Sequence, residues 1–368
     1  MRVSVITACL NSIKTIEQTI LSVMGQNYEN IEHIIVDGGS TDGTLDVIRY
    51  YSERNGNIKW ISEPDRGIYD AMNKGLMLAG GEVIGILNSD DWYEKNAIIR
   101  VVNRFAATEA DMIYGRRRMV YSNGFCRIKL NPNISEVYYQ MPAPHPASFI
   151  KREVYNELGN FDIHYGIAAD YEMLLRIYTT QKKIVELPEV LTNFRENGAS
   201  RKNLRMCAEE TREISYRYLK CFPQICNAEN IEKVYQGYLR IAERDDLENR
   251  IKNLPDVTLI AQKKKIFGVR DVYLFGAGLS GAESNIFLRN IDVKVRCFWD
   301  NDRKKKGTCF CDIPVDQPSN EMKGKIFILI ATKKYKSDIE NNLRNLGYEE
   351  GVDFLGMEEF KDRLLEHI

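Results

Sequence analysis

Over its first 200 residues the chain alternates short apolar runs with amphipathic stretches, and this pattern limits its possible folds more than any other. Val3–Ala8, Ile31–Val36, Ile58–Ser62 and Glu82–Leu87 read as β-strands. Between them, Ile16–Met24, Thr41–Tyr51 and Ile68–Ala79 read as helices, with apolar residues at helical spacing. A repeat of this kind predicts an α/β fold with helical crossovers. The pattern restarts near residue 266, with strands at Asp271–Phe275, Val293–Trp299 and Ile326–Ala331, a helix over Ala282–Asn290 and another running through Leu346. Residues 201–265 nearly lack glycine and mix charged with apolar residues, as in Leu239-Arg240-Ile241-Ala242-Glu243-Arg244. They predict two or more amphipathic helices ending near Pro255. The expected organisation is an α/β domain over 1–200, a helical connector over 201–265 and a second α/β domain over 266–368.

Charge and cysteine usage narrow the partners. Lys+Arg number 51 against 52 Asp+Glu, a net charge of −1, which argues against nucleic acid as a partner. The eight cysteines lack paired CxxC spacing, and the four histidines are scattered at 33, 145, 164 and 367, so no zinc site is expected. Reduced thiols in a cytoplasmic protein are the expectation. The N-terminus enters a strand without a charged and then apolar leader, and the longest apolar runs are too short to span a bilayer.

Polar residues gather where the first four strands end, at the edge where open α/β sheets bind ligands. The first strand ends Thr7-Ala8-Cys9-Leu10-Asn11 and the second Val36-Asp37-Gly38-Gly39-Ser40-Thr41-Asp42-Gly43-Thr44. The third is followed by Ser62-Glu63-Pro64-Asp65-Arg66-Gly67-Ile68-Tyr69-Asp70, and the fourth by Asn88-Ser89-Asp90-Asp91-Trp92. Taken singly, these stretches also suit plain structural roles. Ser40 or Thr41 would serve as a helix N-cap, and Asn88-Ser-Asp-Asp as a helix start.

Together with Ala71-Met72-Asn73-Lys74-Gly75 and Gly81-Glu82, the ordered motifs resemble the family 2 glycosyltransferases, which have the GT-A fold. The stretch Ser62 to Gly75 is similar to a subgroup found in bacterial surface-polysaccharide synthesis. The resemblance covers roughly residues 1–200. It implies a mixed sheet with flanking helices, and transfer of a sugar from a nucleotide donor, commonly UDP-linked, to an acceptor hydroxyl with inversion. It places Thr7, Ala8, Asn11, Asp37, Asp65, Asn73 and Ser89 on the donor side, with Asp37 hydrogen-bonded to the base. Asn88–Asp91 matches the DxD motif, in which a carboxylate holds Mg²⁺ or Mn²⁺ against the diphosphate. This chain has Asn88 where the first acid of that motif often stands, which shifts the ligand role to Asp90, with Asp91 next. It also has Gly38 where families often have an acid.

On the acceptor side, Ala168-Ala169-Asp170-Tyr171 matches the helix start whose aspartate is the general base, with Ala169 at the usual glutamate position. Asp170 would also suit a first-turn helix position on charge grounds alone. His145 matches a recurrent position that contacts acceptor or donor phosphate, and it would equally serve as a hydrogen-bonded structural histidine. Arg195 and Ser200 fall in a loop that closes over the diphosphate in the family, and Arg195 alone also reads as a solvated loop residue.

The second α/β part opens with Gly276-Ala277-Gly278-Leu279-Ser280-Gly281, G-x-G-x-x-G between strand and helix, with Asp300 about 20 residues on. Gly276, Gly278, Gly281 and Asp300 are candidates for holding a nucleotide or NAD. The segment resembles Rossmann-like domains attached to sugar-modifying enzymes. Two rivals follow: an NAD-dependent sugar oxidoreductase and a non-catalytic nucleotide-sugar-binding regulator. The expected partners are a nucleotide sugar and a glycan or lipid-linked glycan acceptor at the inner membrane face. Peripheral membrane association and homodimer formation through the connector helices are carried with them.

Overall fold

The computed structural model describes residues 1–121, 125–195, 198, 203–224 and 226–366. It divides into two compact units, Met1–Arg240 and Ile241–Ile368.

The sheet of the first unit is built on β1 (Val3–Cys9), β2 (Ile31–Asp37), β3 (Ile58–Ser62) and β4 (Val83–Ile86). These four run parallel in the order β3-β2-β1-β4. Every residue of β1 is buried, as a strand covered on both faces requires. Helices α1 (Ile16–Met24), α2 (Thr44–Ser52) and α3 (Ile68–Leu78) supply the crossovers. Helix α1 buries Ile16, Ile20 and Val23 along one stripe. Gly75 lets α3 approach β1, because a Cβ there would lie 2.4 Å from Ile6 Cγ2. The expected helix start at Thr41 is shifted to Thr44, since Asp42 Oδ1 accepts from the Thr44 N–H at 3.0 Å and holds the preceding residues in a turn.

The sheet then becomes mixed. It continues through β5 (Trp92–Tyr93), β6 (Met112–Val120), β7 (Cys126–Lys129), β8 (Ser148–Lys151) and β9 (Ile184–Arg195). Strand β8 pairs antiparallel with β4 and β6, β9 lies parallel to β6, and β7 flanks β6 antiparallel. Helices α4 (Ala97–Thr108), α5 (Arg152–Leu158), α6 (Ala169–Thr179) and α7 (Leu204–Cys221) follow in chain order, and α8 (Ala228–Lys252) runs across the division between the units.

In the second unit α9 (Asp256–Phe267) precedes β10 (Asp271–Phe275), α10 (Leu279–Asn290) and β11 (Val295–Trp299). There follow β12 (Cys309–Phe310), β13 (Ile313–Asp316), β14 (Ile326–Ile330), α11 (Lys336–Asn345), β15 (Phe354–Gly356) and α12 (Met357–Leu365). The strand order is β12-β13-β11-β10-β14-β15, parallel except for the β12–β13 pair. This is a Rossmann-like sheet. Among the described residues no helix is long and apolar enough to cross a membrane.

Candidate active site

Strand order reverses between β1 and β4, and a crevice at the carboxyl ends of such strands is where open α/β sheets bind ligands. The loops leaving β1 and β4 meet there. Ser12 Oγ lies 2.8 Å from Ser89 Oγ, and the Thr19 hydroxyl of α1 is within reach of the Ser89 and Asp91 carbonyls at 3.0 and 2.7 Å.

Asp37 organises the neighbouring loop. It is fully buried, and Oδ2 accepts from the Gly39 and Ser40 N–H groups and the Ser62 hydroxyl at 3.0, 2.9 and 2.7 Å. Oδ1 accepts from Ser40 Oγ at 2.5 Å. Burial alone would raise the carboxyl, but these donors outweigh it and hold Asp37 below its ordinary value. Asn11, in the left-handed region, accepts from the Thr41 N–H at 2.9 Å, and its own N–H donates to Ser40 Oγ. The space above Gly38 belongs to Asp65: a Cβ on Gly38 would lie 2.4 Å from Asp65 Oδ2. The glycine at 38 and the carboxylate of Asp65 are thus sterically matched.

Three sequence-derived donor residues are turned inward. Thr7 has no exposed surface, and its hydroxyl lies 2.9 Å from His33 Nε2. Ala8 packs in the apolar core. Asn73 spends its amide inside the protein, donating to the Phe161 carbonyl at 2.9 Å and accepting from the Phe161 N–H at 3.0 Å.

In the Asn88–Asp91 turn, Asp91 is buried; its Oδ1 accepts from the Arg195 N–H at 3.1 Å and, among the described residues, its Oδ2 has no partner. Asn88 Oδ1 is likewise buried without a partner among the described residues. Burial, and then Asp90 beside it, push the Asp91 carboxyl well up. Arg195 is no solvated loop residue. Its guanidinium donates to the Asp90 carbonyl and to Gln18 Oε1 and lies 4.6 Å from the Trp92 ring centroid, so it clamps the turn. Ser200 lies outside the described residues.

Orphaned hard oxygens beside adjacent carboxylates suit a divalent cation, which would let both acids ionise. Among the described residues no three His, Cys, Asp or Glu side chains form a cluster that would hold an ion unaided. Magnesium-type sites built around a substrate diphosphate need only about one or two protein carboxylates, so the donor set fits.

Asp170 is the second residue of α6. The Tyr69 hydroxyl, with one proton to give, lies 2.9 Å from Asp170 Oδ1 and 2.6 Å from the Ile167 carbonyl. His145 Nδ1 stands 3.7 Å from Asp170 Oδ2. Burial lowers the His145 imidazole below its ordinary value, with Asp170 opposing. The loop before α6 is fixed by Glu210 of α7, which accepts from the N–H groups of Gly166, Ile167 and Ala168 at 2.8, 2.9 and 2.8 Å. Tyr69 and Glu210 are absent from the sequence-derived site. A tyrosine in the first turn of an amphipathic helix reads as core, and Glu210 sits among the many charges of α7.

In the second unit, the glycine turn bridges β10 and α10. Gly276 takes φ +109°, and a Cβ on Gly281 would lie 2.0 Å from the Gly276 carbonyl oxygen, so helix and turn are in backbone contact. A side chain at Gly278 would meet only open space. Asp300 Oδ2 accepts from the Ala277 N–H at 2.9 Å and from Lys305 Nζ at 2.8 Å. The carboxylate that would read ribose hydroxyls is therefore already engaged.

The family model "Glycosyl transferase family 2" matches residues 4–165. An uncharacterized glycosyltransferase of Mycobacterium tuberculosis (strain H37Rv) is 34% identical over 183 residues, covering 47% of this chain and 68% of that protein. A PGL/p-HBAD biosynthesis glycosyltransferase of Mycobacterium bovis BCG is 28% identical, over 53% of this chain and 77% of its own. Among solved structures, the mannosyltransferase PcManGT from Pyrobaculum calidifontis, in complex with GDP-Man and Mn²⁺, superposes with a TM-score of 0.51 at 18% identity, covering 79% of this chain and 84% of that one. S. aureus TarS 1-349 with UDP-GlcNAc gives 0.50 at 19% identity, over 72% and 86%. The match spans 43% of a longer TarS chain. The structural likenesses establish a GT-A-like fold, and the 34% identical relative, of which this chain covers 68%, establishes that the chain belongs to glycosyltransferase family 2.

Proposed function

We propose that the first unit transfers a sugar from a nucleotide-sugar donor, UDP-linked, to an acceptor hydroxyl with inversion, in the synthesis of a cell-surface polysaccharide. The observation that carries this reading is the knitting of three strand ends into one crevice, where Ser12 meets both Thr44 of the Asp37 loop and Ser89 of the Asn88–Asp91 turn at 2.8 Å, together with a carboxylate, Asp170, held between Tyr69 and His145. Solved structures of the same fold hold nucleotide sugars, and one holds Mn²⁺ as well.

Asp170 is the general base. It accepts the acceptor hydroxyl proton as that oxygen bonds to the anomeric carbon and the bond to the diphosphate breaks. Tyr69 and His145 orient its carboxylate. Asp37 shapes the loop that faces the nucleoside through its hydrogen bonds, and Asp65 fills the position above Gly38 to meet base or ribose. Asn11, Ser89 and Arg195 hold the walls of the donor cleft. Asp90, Asp91 and Asn88 would hold a divalent cation, which neutralises charge on the leaving diphosphate when bound. The acceptor is a glycan, lipid-linked and met at the cytoplasmic face of the membrane. The test is UDP release from a panel of UDP-sugars with and without glycan acceptor. Acceptor-dependent release supports the transferase, whereas binding without release at any acceptor contradicts it.

A further inference from the structure

Strand β6 carries three successive arginines whose side chains alternate between faces. Arg116 pairs with Glu186 at 3.8 Å, and Arg118 pairs with Glu94 and donates to Asn193 Oδ1 at 2.9 Å. Arg117, between them, points the other way. Its guanidinium lies 5.3 Å from the Phe194 ring centroid, and its Nε is buried without a partner. Among the described residues it makes no hydrogen bond or ion pair. Phe194 precedes Arg195, whose N–H donates to Asp91 Oδ1 at 3.1 Å, so the guanidinium over the Phe194 ring lies on the Asp91 side of the site; burial lowers it, opposed first by Asp91 and then by Tyr238 and Asp170.

The neighbouring strand extends this cation. In the β6–β7 register Arg117 faces Lys129 and Met119 faces Arg127, which puts the three basic residues on one face. Among the described residues neither Lys129 nor Arg127 has a carboxylate partner. Although β7 reaches solvent, desolvation of the Lys129 ammonium, then Arg117 and Arg127, push it down to about 8. Three like charges side by side repel one another, and a multiply charged anion relieves the repulsion. A planar guanidinium suits phosphate oxygens in particular.

We propose that Arg117, Lys129 and Arg127 form an anion-binding stripe that receives a phosphate or diphosphate group beside Asp91 and Asp170. The assignment rests on the transferase reading, which supplies two sources of that group: the donor diphosphate and a phosphate carried by the acceptor.

Calorimetric titration with inorganic pyrophosphate, alone and with saturating UDP and Mg²⁺, tests it on the parent, Arg117→Gln and the exposed double variant Arg127→Gln/Lys129→Gln. The expected result is a pyrophosphate Kd at least tenfold weaker in Arg117→Gln and several-fold weaker in the double variant. If the stripe serves the donor, UDP displaces pyrophosphate and loses the same affinity in Arg117→Gln. If it serves the acceptor, pyrophosphate binds alongside UDP and UDP affinity holds. Equal pyrophosphate binding by all three proteins, or UDP binding without pyrophosphate binding in the parent, overturns the stripe. Pyrophosphate binding that follows the expected pattern in a parent that does not bind UDP would leave the stripe standing and defeat the UDP-donor reading.

Discussion

Two parallel sheet edges in this chain carry a glycine-rich turn beside a buried or half-buried aspartate, and they use the aspartate differently. At the first edge Asp37 takes backbone N–H groups and hydroxyls, none of them charged, and Ser12 ties its loop to the Asn88–Asp91 turn through Thr44 and Ser89. At the second, Asp300 takes the N–H groups of Ala277 and Asp302 and a lysine of its own loop, and the turn packs backbone to backbone on its helix. A glycine turn is therefore compatible with either a loop knit to neighbouring strand ends or a self-satisfied loop. The side chains that later segments bring to the edge make the difference.

The largest expected effect sharpens that contrast. Asp170→Asn removes the base and lowers kcat by roughly 10²–10⁴ while leaving the donor Kd unchanged. A kcat within tenfold of the parent would contradict the base assignment. Next, Gly281→Ala forces a Cβ against the Gly276 carbonyl oxygen, a backbone atom with little freedom to yield. We expect the second unit to lose on the order of 3 kcal/mol, seen as a lowered melting step, with kcat within twofold. A parallel loss of kcat would tie the second edge to the reaction and break the comparison.

A third prediction concerns pH. His33 is fully buried and held at about 3 by desolvation. Between about 3 and its unfolded value near 6.5 the unfolded chain binds the proton and the folded chain does not, so stability falls as pH falls through this window. Between pH 7 and pH 5 the His33 contribution is about 2 kcal/mol. Urea unfolding of His33→Gln, compared with the parent at both pH values, should show a correspondingly smaller drop. The smallest effect is that of Tyr69→Phe. Losing one hydrogen bond worth about 1 kcal/mol should lower kcat roughly five-fold with donor affinity retained. A change in donor Kd instead would move Tyr69 from the base to the donor cleft.

Much of the first edge was legible in the sequence because its motifs are local. Strand, turn and helix follow one another within a few residues around Asp37 and Asn88, and hydrophobic periodicity locates the strands that carry them. Local reading erred where a side chain's target is distant. Asn73 looked available to a donor, yet both of its amide atoms are taken by Phe161. Arg195 alone read as a solvated loop residue, yet it clamps the Asp90 turn about a hundred residues earlier. Glu210 fixes the loop before Asp170 from a helix whose charges resemble an ordinary wet surface.

By itself the sequence determined the two α/β patterns, the helices between them and the family-specific order of polar strand ends. These depend on periodicity and spacing along the chain. Folding alone brings Asp65 into the space of the missing side chain at 38, sets Tyr69 and His145 beside Asp170, and leaves Arg117 without a partner among the described residues while Arg116 and Arg118 have theirs. The physical reason is that hydrogen bonds, desolvation and charge pairing act over a few ångströms in space, and folding sets those distances between residues far apart in sequence.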